Sequence, residues 1–323
     1  MNALVTGATG FVGGHVVDAL LARGDRVTAL VRSPARAAAL ATAGVTLVEG
    51  DLENRSALQE AVRQQDVIYH IAGAVAAPNE AAYLKANRDG TASLLRAAEA
   101  AGSPRFVLMS SGAAGGPSHR GVPRTEVQPD APVTAYGRSK RAAEEVVRHA
   151  TVPWVILRPP TVYGPRDRDN LIKVFRIART GVVPVFGDGL QELSMVYASD
   201  LADATVLAGT APGVTGAAYY VNHPEIVTSA GLVRRIGSAM HRRVRVIGLP
   251  RWVAMPILGV TQAAARLAGR TTILNVEKAN EFYGPAWTAD PSAFMEASGW
   301  LPSHDLTEGL AATWQWYRQA RWL

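Results

Sequence analysis

Short apolar runs alternate with longer alanine-rich stretches through the first half of the chain. The apolar runs lack a sustained alternation with polar residues, which is typical of parallel strands that are buried on both faces. The predicted strands are Asn2–Thr6, Arg26–Val31, Val45–Glu49, Val67–Ile71 and Arg105–Met109. The stretches between them place apolar side chains at helical spacing. The predicted helices are Phe11–Ala22, Ala35–Ala43, Ser56–Gln64 and Glu80–Ala101.

Strands that alternate with helices predict an α/β fold with a doubly wound parallel Rossmann sheet, because each crossover is right-handed. After Arg158 the pattern becomes irregular, and Pro and Gly interrupt it. We expect these later segments to form a smaller C-terminal α/β substrate-binding lobe. The predicted division is a dinucleotide-binding domain over residues 1–165, to which later segments return, and a mainly substrate-binding lobe over residues 166–323.

The amino-acid composition excludes several kinds of functional site. The 323 residues are 48% apolar and 19% charged, which is enough for a large core. The chain has no cysteine, which excludes disulfides, thiolate metal sites and cysteine nucleophiles. Its seven histidines have no metal-ligand spacing, so no metal is expected.

The net charge of +6 comes from arginines along much of the chain, most densely at Arg234–Arg235 and Arg242–Arg243. We expect a solvated basic surface and no nucleic-acid partner, because aromatic residues do not accompany these arginines. The N-terminus lacks a signal-peptide pattern, and arginines and prolines interrupt the apolar stretch Val244–Val260. We therefore expect a cytoplasmic protein without stable membrane insertion. Val246–Leu267 reads as an amphipathic helical segment, for which a lid or core helix is favoured over a membrane-surface helix.

A glycine-rich turn lies between the first predicted strand and helix. Gly7, Gly10 and Gly13 are spaced so that backbone N–H groups can approach a pyrophosphate at the positive end of the helix. The spacing alone would also fit a plain turn, but its position favours a dinucleotide site. The predicted contacts of this turn are Gly7, Thr9, Gly10, Phe11, Val12 and Gly13.

The end of the second strand predicts which dinucleotide binds. NAD enzymes place a carboxylate there for the ribose 2′-hydroxyl, whereas this chain has Arg32, with Arg36 nearby. A guanidinium suits the 2′-phosphate of NADP, so NADP is preferred and NAD remains possible. Asp51 could bind the adenine amino group or cap a turn. The remaining predicted contacts on this side are Leu52, Ala72 and Gly73.

Three further side chains predict a carbonyl and alcohol redox site. Tyr136 and Lys140 are four residues apart and share one helix face. The Tyr136 phenol can exchange a proton with the substrate oxygen, and we expect the Lys140 ammonium to lower its pKa and to bind the nicotinamide ribose. Ser111 ends the fifth strand and can donate a hydrogen bond to the substrate oxygen.

Taken together, these motifs resemble the extended short-chain dehydrogenases/reductases, which include epimerases, dehydratases, 3β-hydroxysteroid dehydrogenases and dihydroflavonol reductases. The resemblance covers nearly the whole chain and includes Asn87–Thr91 and Arg158–Pro165. It implies that Pro159 and Val162 lie beside the nicotinamide amide and that Asn87 supports the active site. It also implies a homodimer that pairs the helices within Glu80–Ala101 and Thr134–Ala150.

Two departures from the family pattern bear on the substrate. Nucleotide-sugar enzymes of this group usually have an asparagine where this chain has Thr161. They also usually have an arginine where this chain reads Gln191–Val196, with Glu192 in the segment. A missing cation disfavours a sugar diphosphate. Four apolar residues could instead line a substrate pocket or belong to an ordinary core. These are Phe186, Leu193, Met195 and Tyr197.

The sequence therefore predicts an NAD(P)-dependent oxidoreductase acting on a small, fairly apolar ketone or secondary alcohol. The alternative is a sugar or nucleotide-sugar epimerase or dehydratase with tightly bound NAD. Sugar dehydratases of this group usually place an Asp-Glu pair after the catalytic hydroxyl residue, whereas Gly112 and Ala113 follow Ser111 here. That difference disfavours the dehydratase half of the alternative.

Overall fold

The computed structural model describes residues 1–102, 104–267 and 279–323. Strands and helices alternate through most of this part of the chain. The strands are β1 Asn2–Thr6, β2 Arg26–Val31, β3 Thr46–Glu49, β4 Val67–His70, β5 Arg105–Met109, β6 Trp154–Arg158, β7 Thr161–Tyr163, β8 Val182–Phe186, β9 Glu192–Tyr197, β10 Ala217–Tyr220, β11 Ile226–Thr228, β12 Arg245–Leu249 and β13 Ala286–Trp287. The α-helices are α1 Phe11–Ala22, α2 Ala38–Thr42, α3 Arg55–Ala61, α4 Glu80–Leu84, α5 Gly90–Ala100, α6 Gly112–Gly115, α7 Ala135–Arg148, α8 Leu171–Ala178, α9 Ala198–Ala208, α10 Ser229–Ala239, α11 Arg251–Leu267, α12 Ala279–Phe282, α13 Ser292–Ser298 and α14 Leu306–Gln319.

Seven parallel strands form the main sheet in the order β10-β6-β5-β4-β1-β2-β3. The strand order reverses between β1 and β4, which is where ligands bind in open sheets of this kind. Successive residues of β1 point to opposite faces. Val5 belongs to the core shared with α1 and α9, and Leu4 belongs to the core shared with α3, α5 and α7. The predicted α/β class with a doubly wound parallel sheet is confirmed.

The later part of the chain builds smaller sheets around a third core. Strand β9 pairs with β7, β11 and β13, and β12 pairs with β8. Phe175, Ile236 and Leu310, from α8, α10 and α14, are fully buried in this core. Strand β10 is an exception, because it returns to the edge of the main sheet beside β6.

The predicted elements differ from the structure at prolines and at one helical bulge. The helix expected over Ala35–Ala43 is a 3₁₀ turn, Pro34–Ala37, followed by α2. A π-helical turn, Lys85–Asp89, separates α4 from α5. The helix expected from Val246 is wrong at its start, since β12 ends before Pro250 and α11 begins only at Arg251. None of the helices in the described ranges is long and apolar enough to cross a membrane.

Candidate active site

The turn between β1 and α1 requires glycine for steric reasons. Gly7 has a φ of 76°, and a Cβ there would lie 2.7 Å from the Ala72 nitrogen. A Cβ on Gly13 would lie 2.1 Å from the Gly7 oxygen. The Gly10 N–H donates to the Gly7 oxygen at 2.9 Å, and Gly10 precedes the first residue of α1. The turn therefore brings main-chain atoms close to any group bound at the positive end of α1.

The end of the crevice beyond β2 is cationic. Arg32 and Arg36 are exposed and line the same crevice as the glycine turn. Within the described part of the chain, neither guanidinium forms an ion pair with a carboxylate. Asp51 lines the crevice too, but its carboxylate accepts from the N–H groups of Glu53 and Asn54 at 2.9 and 3.0 Å. Asp51 therefore caps a turn, which was one of its two predicted roles, while Leu52 lines the crevice beside it.

Ser111 and Tyr136 come together at the centre of the crevice. Ser111 follows β5 and caps α6, where its Oγ accepts from the Ala113 N–H at 3.2 Å. Burial raises the pKa of Tyr136 to about 12, a hydrogen bond with Ser111 lowers it, and the charge of Glu281 raises it. Lys140 is not among the groups that shift the pKa of Tyr136, although its ammonium was expected to lower that pKa. At neutral pH the phenol is therefore protonated.

Lys140 lies one helical turn beyond Tyr136 and is buried. Its Nζ donates to the carbonyl oxygen of Met109 at 2.9 Å. Burial lowers the pKa of Lys140 to about 8, while the charge of Glu144 raises it. A Cβ on Gly73 would lie 2.9 Å from the Nζ, so glycine at this position gives the ammonium access to the crevice.

Asn87 connects the strand side of the site to the helix that carries Tyr136. Its Nδ2 donates to Ser139 Oγ at 2.8 Å, and its Oδ1 accepts from the Ala74 N–H at 2.7 Å. Ser139 Oγ in turn donates to the Tyr136 carbonyl oxygen at 2.7 Å. Asn87 lies within the π-helical turn, where the extra residue shifts the helix register. This network of hydrogen bonds holds the backbone of α7 at Tyr136, the residue that carries the phenol.

Sequence reasoning missed a buried ionic cluster beside Tyr136 and Lys140. Glu144 is fully buried and binds Arg158, which also contacts Asp130 at 2.8 Å. Ser110 donates to Glu144 Oε1 at 2.5 Å. The spacing of four residues between Lys140 and Glu144 was the available signal, because it places both on one face of α7. The cluster ties that face to the ends of β5 and β6.

One wall of the crevice, on the side away from the glycine turn, is apolar and aromatic. The crevice has a volume of about 2090 Å³, enough for a dinucleotide together with a substrate. Phe186 stacks on Phe282 with a ring-centroid distance of 4.4 Å. The apolar wall defined here consists of Val185, Phe186, Leu193, Leu249, Phe282 and Trp287.

Two of the four predicted pocket residues belong to the core instead. Met195 and Tyr197 are 3% and 7% exposed and pack in the third core, whereas Phe186 and Leu193 line the crevice. Leu193, Met195 and Tyr197 share one face of β9, and Leu193, near the start of the strand, is the one of the three that reaches the crevice. Glu192 accepts from the Gly121 N–H at 2.7 Å and is not a crevice residue.

Pro159 and Val162 also line the crevice, beyond the end of β6. The Pro159 carbonyl oxygen accepts from the Gly112 N–H at 2.8 Å, which holds the Pro159 segment against the Ser111 turn. Every cofactor and catalytic residue predicted from the sequence therefore lines one continuous crevice. Their roles in it remain predictions.

Comparison with known proteins identifies the family. The model of the NAD-dependent epimerase/dehydratase family matches residues 3–221, which is more than half of the chain. The chain belongs to this family. Members of the epimerase/dehydratase family with similar sequences include both reductases and epimerases. The predicted relationship to the extended short-chain dehydrogenases/reductases is confirmed, and the protein is an NAD(P)-dependent enzyme.

Two relatives and one solved structure illustrate this range. The ceramide reductase of Caulobacter vibrioides is 31% identical over 319 residues, which cover 99% of this chain and 95% of that protein. The 2-alkyl-3-oxoalkanoate reductase of Shewanella oneidensis is 26% identical over 83% of this chain and 74% of its own. The UDP-glucuronic acid 4-epimerase of Bacillus cereus, solved with UDP-glucuronic acid and NAD, has a TM-score of 0.80 at 21% identity, covering 99% of this chain and all of that one. At that identity the likeness shows the fold alone.

The described residues fit a nicotinamide dinucleotide. The glycine turn leaves space that a Cβ at Gly7 or Gly13 would fill, and Gly73 opens the path to Lys140. Ser111 and Tyr136 place two hydroxyl groups at the other end of the same crevice. The site thus combines a dinucleotide cradle with a hydroxyl pair and a buried amine.

Proposed function

We propose that this protein is an NADP-dependent oxidoreductase that interconverts a ketone and a secondary alcohol on a small, fairly apolar molecule. The observation that carries the proposal is the position of the Ser111 and Tyr136 hydroxyls. They line the same crevice as the glycine turn and the apolar wall. A carbonyl bound against that wall would meet both hydroxyls.

Each side chain has a distinct part in the proposed reaction. Ser111 Oγ donates a hydrogen bond to the substrate carbonyl oxygen, which stabilises charge that develops there. The protonated phenol of Tyr136 then gives its proton to this oxygen, and solvent restores the proton. Lys140 holds the ribose hydroxyls of the nicotinamide. When bound, the reduced nicotinamide supplies a hydride to the carbonyl carbon.

Preference for NADP rests on Arg32 and Arg36. Both guanidinium groups lie in the crevice beyond β2, where a 2′-phosphate would accept from them. The recorded contacts of Asp51 go to backbone N–H groups, so this carboxylate is engaged in its own turn. We propose that NADP exchanges freely and that NAD binds more weakly.

The substrate class follows from the apolar wall. From the β9 segment, Gln191 and Leu193 reach the crevice where nucleotide-sugar enzymes of this group usually have an arginine. The names of two relatives, a ceramide reductase and a 2-alkyl-3-oxoalkanoate reductase, describe reductases of molecules with long apolar chains. We propose a ketone with an extended apolar part.

Three further features belong to the same proposal. Residues 1–165 would bind the dinucleotide, and residues 166–323 would mainly bind the substrate. A homodimer would pair α4, α5 and α7 with their copies, and sedimentation equilibrium would measure it directly. A cytoplasmic location stays a prediction.

The test is a cofactor titration followed by a turnover assay. The purified protein is first checked for retained nucleotide, then titrated with NADPH and NADH, and then supplied with ketones of increasing chain length. We expect exchangeable NADPH to bind more tightly and turnover to improve with chain length. Retained NAD with turnover of a nucleotide sugar would instead establish the epimerase alternative.

A further inference from the structure

Helix α11 has a buried face and an exposed face, and the exposed face is apolar. Ala254 and Leu258 are 1% and 3% exposed, whereas Trp252, Ile257 and Val260 are 78%, 54% and 70% exposed. Trp252 and Val260 are eight residues apart, so they lie on the same side of the helix. The sequence from Trp252 to Ala265 contains no charged residue. A solvated helix normally places charged or polar residues on such a face.

The chain around this helix has a larger net positive charge than the protein as a whole. Residues 226–276 contain eight arginines and neither lysine nor any acidic residue, so they contribute +8, and the remaining 272 residues together contribute −2. Arg243 and Arg245 are exposed just before the helix. Ile247 is 46% exposed and lies two residues beyond Arg245, on the same face of β12. Basic and apolar side chains are therefore presented together.

This region adjoins the mouth of the substrate crevice. Leu249 lines the crevice, and its carbonyl oxygen accepts from the Tyr283 hydroxyl at 2.8 Å. The Arg251 guanidinium, at the start of α11, lies 5.9 Å from the centre of the Tyr283 ring. Tyr283 also packs edge-on against Phe186 of the apolar wall, at 5.6 Å between ring centroids. The contacts of Tyr283 thus connect the exposed helix α11 to the apolar wall.

We propose that this surface docks on an anionic lipid bilayer, from which an amphiphilic substrate enters the crevice. The docking surface is defined as Arg243, Arg245, Ile247, Trp252, Ile257 and Val260. Apolar side chains of an interfacial helix enter the boundary between headgroups and acyl chains, while arginines bind anionic headgroups. The proposal deepens the proposed function by naming the source of its substrate. Docking of the protein on the bilayer does not depend on its enzymatic turnover.

Charge decides among the possible occupants of this surface. A second copy would bring the same exposed arginines, Arg243 and Arg245, against this surface, and their like charges would repel each other. Nucleic acid would be held by cations interleaved with aromatic residues, whereas the exposed stripe of α11 has one aromatic residue, Trp252, and no charge from Trp252 to Ala265. A bilayer with anionic headgroups satisfies both the apolar stripe and the arginines.

The first experiment measures co-sedimentation with vesicles of phosphatidylcholine, with and without phosphatidylglycerol. We expect binding only to the anionic vesicles and release by high salt. In R243E/R245E, binding falls by more than about 30-fold, because each arginine near an anionic surface contributes about a factor of five and the two glutamates add repulsion. The matched control is R55E/R63E, which makes the same charge change on exposed arginines outside the segment. An equal loss in that control would overturn the proposal.

The second experiment removes the apolar stripe without changing charge. W252S/V260S is expected to lose about tenfold in binding to the anionic vesicles, because less apolar area enters the bilayer. The matched control is V122S/V127S, whose valines are 53% and 92% exposed elsewhere on the protein. Thermal melting checks that all four variants remain folded.

Other outcomes would reject docking on lipid. If W252S/V260S converts dimers to monomers by sedimentation equilibrium and wild-type protein ignores vesicles, the stripe is a contact between copies. If wild-type protein binds DNA but not anionic vesicles, the arginines serve nucleic acid. Failure of the proposed function is a separate result, because Tyr136→Phe loses turnover yet should still bind vesicles. Docking variants should likewise keep their turnover of a short, water-soluble ketone.

Discussion

The two sides of the crevice are constructed from different kinds of atoms. On the cofactor side, main-chain atoms of Gly7 and Gly13 approach so closely that a Cβ would not fit. On the substrate side, side chains such as Phe186 and Phe282 form the surface. Side chains can be substituted without moving the backbone, whereas a side chain added in the glycine turn would move it. One fold can therefore keep its cofactor while its substrate changes.

The largest expected effect lies where the two sides meet. Tyr136→Phe removes the proton donor but keeps the ring, whose centroid is 6.1 Å from that of Tyr83. We expect kcat to fall by about 10²–10⁴-fold, with the Kd for NADPH unchanged. Steady-state kinetics and a fluorescence titration measure these two quantities. Unchanged turnover would remove Tyr136 from the proposed chemistry.

The next effect tests the main-chain nature of the cofactor side. Gly13→Ala places a Cβ 2.1 Å from the Gly7 oxygen, and the turn must open. We expect a loss of about 3 kcal/mol, divided between cofactor affinity and the free energy of unfolding. NADPH titration and urea denaturation measure the two parts.

The neighbouring residue supplies the control for this substitution. A Cβ on Gly14 would lie 3.2 Å from Arg166 Nη1, which is the far end of a flexible side chain. Gly14→Ala should therefore change both quantities little. If both alanine variants bind NADPH equally well, close main-chain approach is not what defines this side of the site.

The same distinction explains what the sequence could predict. The glycine turn, the β1–β5 alternation and the Tyr136–Lys140 spacing depend on local rules, and all three are found in the structure as expected. The register of Met195 and Tyr197 depends on how β9 pairs with β7, β11 and β13, which is a non-local matter. The Glu144–Arg158 cluster likewise joins separate elements. Long-range packing of this kind leaves little local signal.

A pH-dependent effect is expected from Lys140, at the boundary between the two sides. Burial lowers the pKa of its folded state to about 8 from an ordinary value of 10.5. Between these values the unfolded chain binds more protons, so stability rises with pH across this window. Below pH 8 the buried Lys140 is charged in the folded protein, so the full cost of desolvating its ammonium lowers the free energy of unfolding. Lys140→Met lacks this titration.

Urea denaturation of both proteins measures the linkage. From pH 7.5 to pH 10, the free energy of unfolding of wild type should gain about 2 kcal/mol relative to Lys140→Met. Tyr136 titrates in both proteins, so its contribution cancels in this difference. A constant difference across the window would mean that Lys140 is not desolvated in the folded protein.

On the substrate side, Phe186→Ala removes a ring of the apolar wall and should leave the backbone in place. We expect KM for a long-chain ketone to rise about tenfold, while KM for a short ketone and the Kd for NADPH stay unchanged. Ile177→Ala, at a partly exposed residue of α8, serves as a control for loss of apolar volume at the crevice margin. Equal effects on short and long ketones would contradict the assignment of the wall to the apolar chain.

A further substitution, with an effect of similar size, separates the choice of cofactor from its binding. Arg32→Ser removes one guanidinium from the end of the crevice beyond β2 and leaves the glycine turn intact. We expect the Kd for NADPH to rise about tenfold and the Kd for NADH to stay within about twofold, because only NADPH carries the 2′-phosphate. Arg26→Ser, at the exposed start of the same strand, is the matched control. If Arg32→Ser weakens both cofactors equally, the guanidinium contributes general charge and the preference for NADP must come from elsewhere. A loss confined to NADPH would show that even on the cofactor side, where the backbone sets the cradle, a single side chain selects the cofactor.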